Sequence, residues 1–295
     1  MRVSTYLSLG PHGFHRIAYT DWGDPHSRHA VICVHGLTRN ARDFDRLAES
    51  LADASRVVCP DVAGRGDSEW LVHAEDYGYP VYLADMAALI ARLGVAPEGP
   101  LLDWVGTSMG GLIGMMLAAQ PNSPIRRLVL NDVGPFIPQA GLRRIAGYVG
   151  QSPRFADWEA AERHIRAVSA GFGPLTDAQW RHLTAHSVML SNDGSWKLKY
   201  DPAIARPFLE SPLQDVDLWD VWQRVRCPVL VLRGQQSDLL PQAVAEEMVA
   251  RHPSTQLVEL PGIGHAPALM ASEQIDRVRN FLLAERVPGD RPLPG

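Results

Sequence analysis

Short unbroken runs of valine, leucine and isoleucine recur along this chain with helix-patterned stretches between them, and that alternation limits the folds open to it. Runs at 16–21, 30–34, 56–59, 101–105, 127–131, 228–232 and 256–260 have the length of strands. Helical patterns occupy 43–52, 81–93, 109–119, 242–251 and 272–284. A strand that is apolar on both sides needs cover on both sides, and strands joined through helices run parallel. The expected class is α/β: a mostly parallel eight-stranded sheet with helices on both faces, counting an antiparallel first strand at 3–9. With 295 residues, 46% of them hydrophobic, the chain can bury a sizeable core. The tail 287–295, rich in proline, glycine and charge, is expected to fray.

The alternation lapses between 135 and 212, after the sixth strand. Trp158, Ala161, Ile165 and Val168 recur at helical spacing, and Thr176-Asp177-Ala178-Gln179 has the form of a capping box opening another helix. Val188-Met189-Leu190 and Trp196-Lys197-Leu198-Lys199-Tyr200 flank Asn192-Asp193-Gly194, a hairpin signal. The chain therefore divides into a core, 1–134 with 213–295, and a mainly helical insertion, 135–212. Trp158, Trp180, Trp196, Trp219 and Trp222 lie in the insertion or its exit and are expected mostly to pack it, some of them lining an apolar pocket.

Chemistry enters at Gly106-Thr107-Ser108-Met109-Gly110, between the run 101–105 and the helical stretch that follows. A turn from strand to helix within two residues forces Ser108 towards positive φ, which costs a residue with a Cβ on the order of 1–3 kcal/mol. Gly106 and Gly110 let helix and strand approach closely while the serine oxygen stands clear of the sheet. Beneath it, the unpaired N–H groups of the helix start favour negative charge.

A serine hydroxyl is a weak nucleophile, so it needs a base and an acid that orients the base. His12, His15, His26 and His29 sit in a polar N-terminal stretch, and His164, His182 and His186 fall on helical patterns. His265 stands instead in Pro261-Gly262-Ile263-Gly264-His265-Ala266-Pro267, a glycine-loosened loop directly after a strand. Two carboxylates occupy comparable strand ends. Asp238 follows the run 228–232, and Asp132 follows 127–131. Either can reach His265.

These motifs resemble the α/β-hydrolase family. The glycine-flanked serine matches its G-x-S-x-G nucleophile elbow, and His35-Gly36-Leu37 resembles its His-Gly loop. Asp61-Val62-Ala63-Gly64-Arg65-Gly66-Asp67-Ser68 resembles its D-x-x-G-x-G-x-S loop, and the insertion resembles its cap, placed to roof Ser108. The resemblance implies Ser108 as nucleophile, His265 as base and Asp238, rather than Asp132, as the acid. It also implies an oxyanion hole made by the amides of Leu37 and Met109, with His35 bracing the loop. A dinucleotide fingerprint at Gly64-x-Gly66 is disfavoured, since Glu69 holds the third glycine position.

The implied activity is hydrolysis of a small carboxylic ester, such as a hydroxyacyl ester or lactone, through an acyl-enzyme. No cofactor and no metal are required. In the family an aspartate at the elbow marks haloalkane dehalogenases and epoxide hydrolases, and a cysteine marks dienelactone hydrolases. A carbon–carbon bond hydrolase of vinylogous diketones is the alternative, with Arg39 available to a substrate carboxylate. A ligand-binding receptor on the same fold is the second.

A net charge of -5 with scattered basic residues argues against nucleic acid. The partner expected is a small-molecule ester, the protein a monomer or homodimer. Cys33, Cys59 and Cys227 lack metal-ligand spacing and read as buried small hydrophobes. The first ten residues lack a signal-peptide pattern, and no run suits a membrane span, which together imply a cytoplasmic protein.

Overall fold

The computed structural model describes residues 1–96, 99–209 and 212–285. Its centre is an eight-stranded sheet of β1 (Arg2–Gly10), β2 (Gly13–Trp22), β3 (His29–Val34), β4 (Arg56–Pro60), β5 (Leu101–Thr107), β6 (Ile125–Asn131), β7 (Val229–Gly234) and β8 (Thr255–Leu260). The spatial order is β1-β2-β4-β3-β5-β6-β7-β8. β1 and β2 are antiparallel, β2 meets β4 antiparallel, and every later pairing is parallel. The expected tail, 287–295, lies outside the described residues.

Period two explains the two cores. Along β3, Ile32 and Val34 join the cluster on one face with Trp104 and Leu128, while Val31 and Cys33 join the other with Val105 and Val129. Five helices complete the layers: α1 (Asp45–Leu51), α2 (Tyr79–Arg92), α3 (Met109–Ala118), and two that follow the insertion, Gln242–Arg251 and Ser272–Leu283. The first expected helix, 43–52, is shorter because the chain enters it through a 3-10 turn, Ala41–Phe44, capped by the Asn40 side chain. All three cysteines are buried, and none is in a disulfide. Among the described residues no helix is long and apolar enough to cross a membrane.

Between β6 and β7 the chain leaves the sheet. It builds α4 (Gln139–Ala146), α5 (Trp158–Val168) and α6 (Asp177–Ser187). The capping box is made in full: Thr176 accepts from the Gln179 amide, and the Gln179 side chain accepts from the Thr176 amide. The hairpin is also present, Trp196 facing Leu190 and Leu198 facing Val188, with Arg154–Phe155 as a third strand. Helix α4 has no counterpart among the expected elements, because only Gly141 and Ile145 are buried and the apolar period is too thin to read. A two-stranded ribbon, Phe136–Ile137 against Val216–Asp217, ties the two ends of this excursion together.

Candidate active site

Ser108 sits between β5 and α3 with φ 52° and ψ -116°, the left-handed backbone that the abrupt turn demands. The glycines are there for space. A Cβ on Gly110 would lie 2.0 Å from the Val34 carbonyl oxygen, and one on Gly106 would lie 2.2 Å from the Gly110 oxygen. Below the turn, the Trp104 indole donates to the Gly110 carbonyl at 3.0 Å and packs where α3 has only Gly114. The Ser108 amide donates to the Asn131 carbonyl at 3.0 Å, fixing the elbow to the end of β6.

The structure brings Ser108 and His265 together: His265 Nε2 is 2.9 Å from Ser108 Oγ. It does not bring Asp238 to the imidazole. The expectation from family order is corrected here, because His265 Nδ1 faces Asp132 Oδ2 at 2.8 Å. Asp132 turns sharply off β6 at φ 58° and is fully buried. Its Oδ1 accepts from the Gly234 amide at 2.8 Å, and its Oδ2 also accepts from the Ser237 hydroxyl at 2.7 Å. The physical reason lies in the loop after β7. Ser237 points inward to Asp132, so its neighbour Asp238 points outward, 44% exposed, and forms a two-bond ion pair with Arg144 of α4. Burial pushes the Asp238 carboxyl up, but the Arg144 guanidinium outweighs it and holds the group below its usual range.

Three positions that the sequence reading passed over support this set. Ser237 clamps Asp132 and, through its own Oγ, accepts the amides of Leu239 and Leu240. Asn131 donates from Nδ2 to Thr107 Oγ1 at 3.0 Å and to the Pro267 carbonyl at 2.8 Å, lacing the elbow to the His265 loop. Arg65, fully buried, donates to the carbonyls of Leu37 and Ala63 and to the Tyr82 hydroxyl. Polar residues joining separate strand ends leave no periodic trace in sequence.

The Asp61–Ser68 loop packs beneath Leu37. Asp61 accepts the amides of Ala41 and Asp67 at 2.7 and 2.8 Å, and Ser68 donates to the Asp61 carbonyl at 2.6 Å. His35 is fully buried, its Nδ1–H on the Gly36 carbonyl and its Nε2 accepting the Val62 amide. Burial drives its pKa down to about 4, so the ring is neutral and works as a two-ended brace. Leu37 and Met109, the expected oxyanion donors, flank Ser108 from the β3 loop and the first turn of α3.

A pocket opens above Ser108, walled by the core at Leu37 and Pro267 and by the insertion at Ile145, Ile165, Phe172 and Leu183. None of the tryptophans lines it. Trp180 and Trp222 are buried elsewhere, and Trp158 packs edge-on against Trp196, 5.4 Å between ring centres. Arg39 does reach the pocket wall, but it is engaged: Asp43 holds it through bonds of 2.6 and 2.8 Å, and its Nη1 donates to Ser187 Oγ at 3.0 Å. Arg39 itself is buried.

A serine at a strand–helix elbow, joined through one imidazole to a buried carboxylate, is the arrangement of a serine hydrolase. The sequence model of the alpha/beta hydrolase family matches residues 31–279, and the chain belongs to that family. It is 47% identical over 282 residues to 3-hydroxybutyrate-oligomer hydrolase of Cupriavidus necator, covering 93% of this chain and 95% of that protein. It is 29% identical over 259 residues to 2-(acetamidomethylene)succinate hydrolase of Mesorhizobium japonicum, 85% of this chain and 87% of the other. Among solved structures, an alpha/beta hydrolase from Novosphingobium aromaticivorans superposes with a TM-score of 0.83 at 39% identity, covering 95% and 98% of the two chains. A protein of Rickettsia typhi superposes with a TM-score of 0.90 at 33% identity, covering 97% and 100%.

Proposed function

We propose that this hydrolase cleaves the ester bonds of short 3-hydroxybutyrate oligomers, by way of an acyl-enzyme on Ser108. The substrate assignment rests on the 47% identity, spread over nearly the whole length of both chains, to a hydrolase of those oligomers. The geometry supports the following mechanism. Ser108 Oγ attacks the ester carbonyl while His265 Nε2 takes its proton, and the negative oxygen turns towards the amides of Leu37 and Met109. His265⁺, oriented by Asp132, returns that proton to the departing alkoxide, which leaves as the hydroxyl end of the shorter oligomer. Water then repeats the exchange, freeing Ser108 and a 3-hydroxybutyryl acid.

In this reading residues 135–212 act as a cap on a core of 1–134 and 213–295, since both parts wall the pocket. Three buried cysteines outside any disulfide fit a reducing, cytoplasmic setting. The test is incubation of purified protein with 3-hydroxybutyrate dimer and trimer, a nitrophenyl ester and a ring-cleavage diketone. Monomer release that disappears in Ser108→Ala is expected. Cleavage of the diketone with intact dimer would favour carbon–carbon hydrolysis, and binding without turnover of any of them would favour a receptor.

A further inference from the structure

Away from Ser108, two histidines one helical turn apart on α6 meet an aspartate of the core. His182 and His186 lie on one face of the helix. Asp45, the first residue of α1, is buried beneath them, with its Oδ2 3.4 Å from His182 Nε2. One ligand atom from each of the three residues lies within 4.8 Å of the others. A zinc ion with four tetrahedral ligands holds neighbouring donors roughly 3.4 Å apart, so one pair already has the required separation and the third must close in.

A cation already occupies this cluster. Arg42 forms an ion pair with Asp45, two of whose contacts from its Nε are 2.9 and 2.8 Å, and its Nη1 is 3.4 Å from His186 Nδ1. A guanidinium only donates, so His186 Nδ1 presents its lone pair to the positive charge, the orientation a metal ligand needs. Arg42 is 28% exposed on a 3-10 turn and has solvent to move into.

We propose that Asp45, His182 and His186 form a binding site for a divalent transition metal of the zinc type, which displaces the Arg42 side chain and clamps α6 to the start of α1. Two imidazoles and one carboxylate suit zinc and disfavour calcium or magnesium. Binding needs one coupled step: His182 Nε2, whose N–H now donates to the Arg42 carbonyl at 3.0 Å, must give up that proton, which solvent returns to Nδ1, so that the neutral ring offers its Nε2 lone pair. The clamp stands directly behind the pocket, because Leu183 and Ser187 of the same helix line it.

The experiment is calorimetric titration of Zn²⁺ into the purified full-length protein in a non-chelating buffer. One saturable site with a dissociation constant on the order of micromolar is expected. His182→Ala and His186→Ala should each weaken it by about tenfold or more, Arg42→Ala should tighten it, and Ser108→Ala should leave it unchanged. Circular dichroism and the milder His186→Gln variant guard against misfolding. Absence of a saturable site, or binding equal to the parent in both folded histidine variants, would overturn the proposal. The outcome is independent of which ester the enzyme cleaves.

Discussion

At the scale of single residues, the arrangement depends on Asp132, held by one amide, one hydroxyl and the imidazole it orients. Asp132→Asn keeps the shape but offers an amide where the imidazole N–H must be accepted, so turnover should fall by about 10³- to 10⁴-fold. Asp238→Asn removes only a half-exposed ion pair with Arg144, worth about 1 kcal/mol or less, and should change turnover less than roughly fivefold. Steady-state kinetics on one ester compares them, and the opposite ranking would return the acid's role to Asp238. Ser108 and His265 were legible in the sequence because each sits in a glycine-marked loop after a strand. The choice between two aspartates was not. It turns on which of the adjacent residues Ser237 and Asp238 points inward, and strand-end periodicity carries no such information.

At the scale of elements, the elbow is a packing problem among β3, β5 and α3. The Gly110→Ala methyl would meet the backbone of Val34, which has no rotamer to change, so the variant should lose about 3 kcal/mol or more in urea unfolding. A midpoint equal to the parent's would mean that α3 can slide away from β3. Strands β2 to β7 were readable because each carries a buried apolar run, while the edge strands β1 and β8 bury only two residues each and were marked by shorter apolar stretches. The capped helix α6 and its hairpin were readable too, where turn chemistry is explicit. Helix α4 and the ribbon at the base of the insertion were not, since they bury few side chains and are held by neighbours that local pattern does not reveal.

Over the whole molecule, two buried groups beneath the site pull stability in opposite directions with pH. His35, held at about 4 against an ordinary 6.5, makes the protein less stable as pH falls through that window, because the unfolded chain takes up the proton first. Asp61, pushed by burial from 3.8 up to about 6, makes it less stable as pH rises between those values. Their contributions largely offset. Asp61→Asn removes one of them, so stability should then decline by roughly 3 kcal/mol more steeply between pH 6.5 and 4 than in the parent. Urea midpoints across that range measure the slope, and parallel curves would show that Asp61 is not titrating there.

The insertion also touches the chemistry through its backbone. The Gly264 amide donates to the Gly171 carbonyl at 2.8 Å, and Gly171 lies so close to the His265 main chain that a methyl there would sit 2.7 Å from its oxygen. The insertion and the His265 loop are therefore mechanically one part. If the insertion is the roof and His265 the proton carrier, as proposed, whatever tilts the one, whether a bulky acyl chain wedged under it or a change far out on its surface, would be passed straight to the other, and the reaction rate would gauge how the roof is seated.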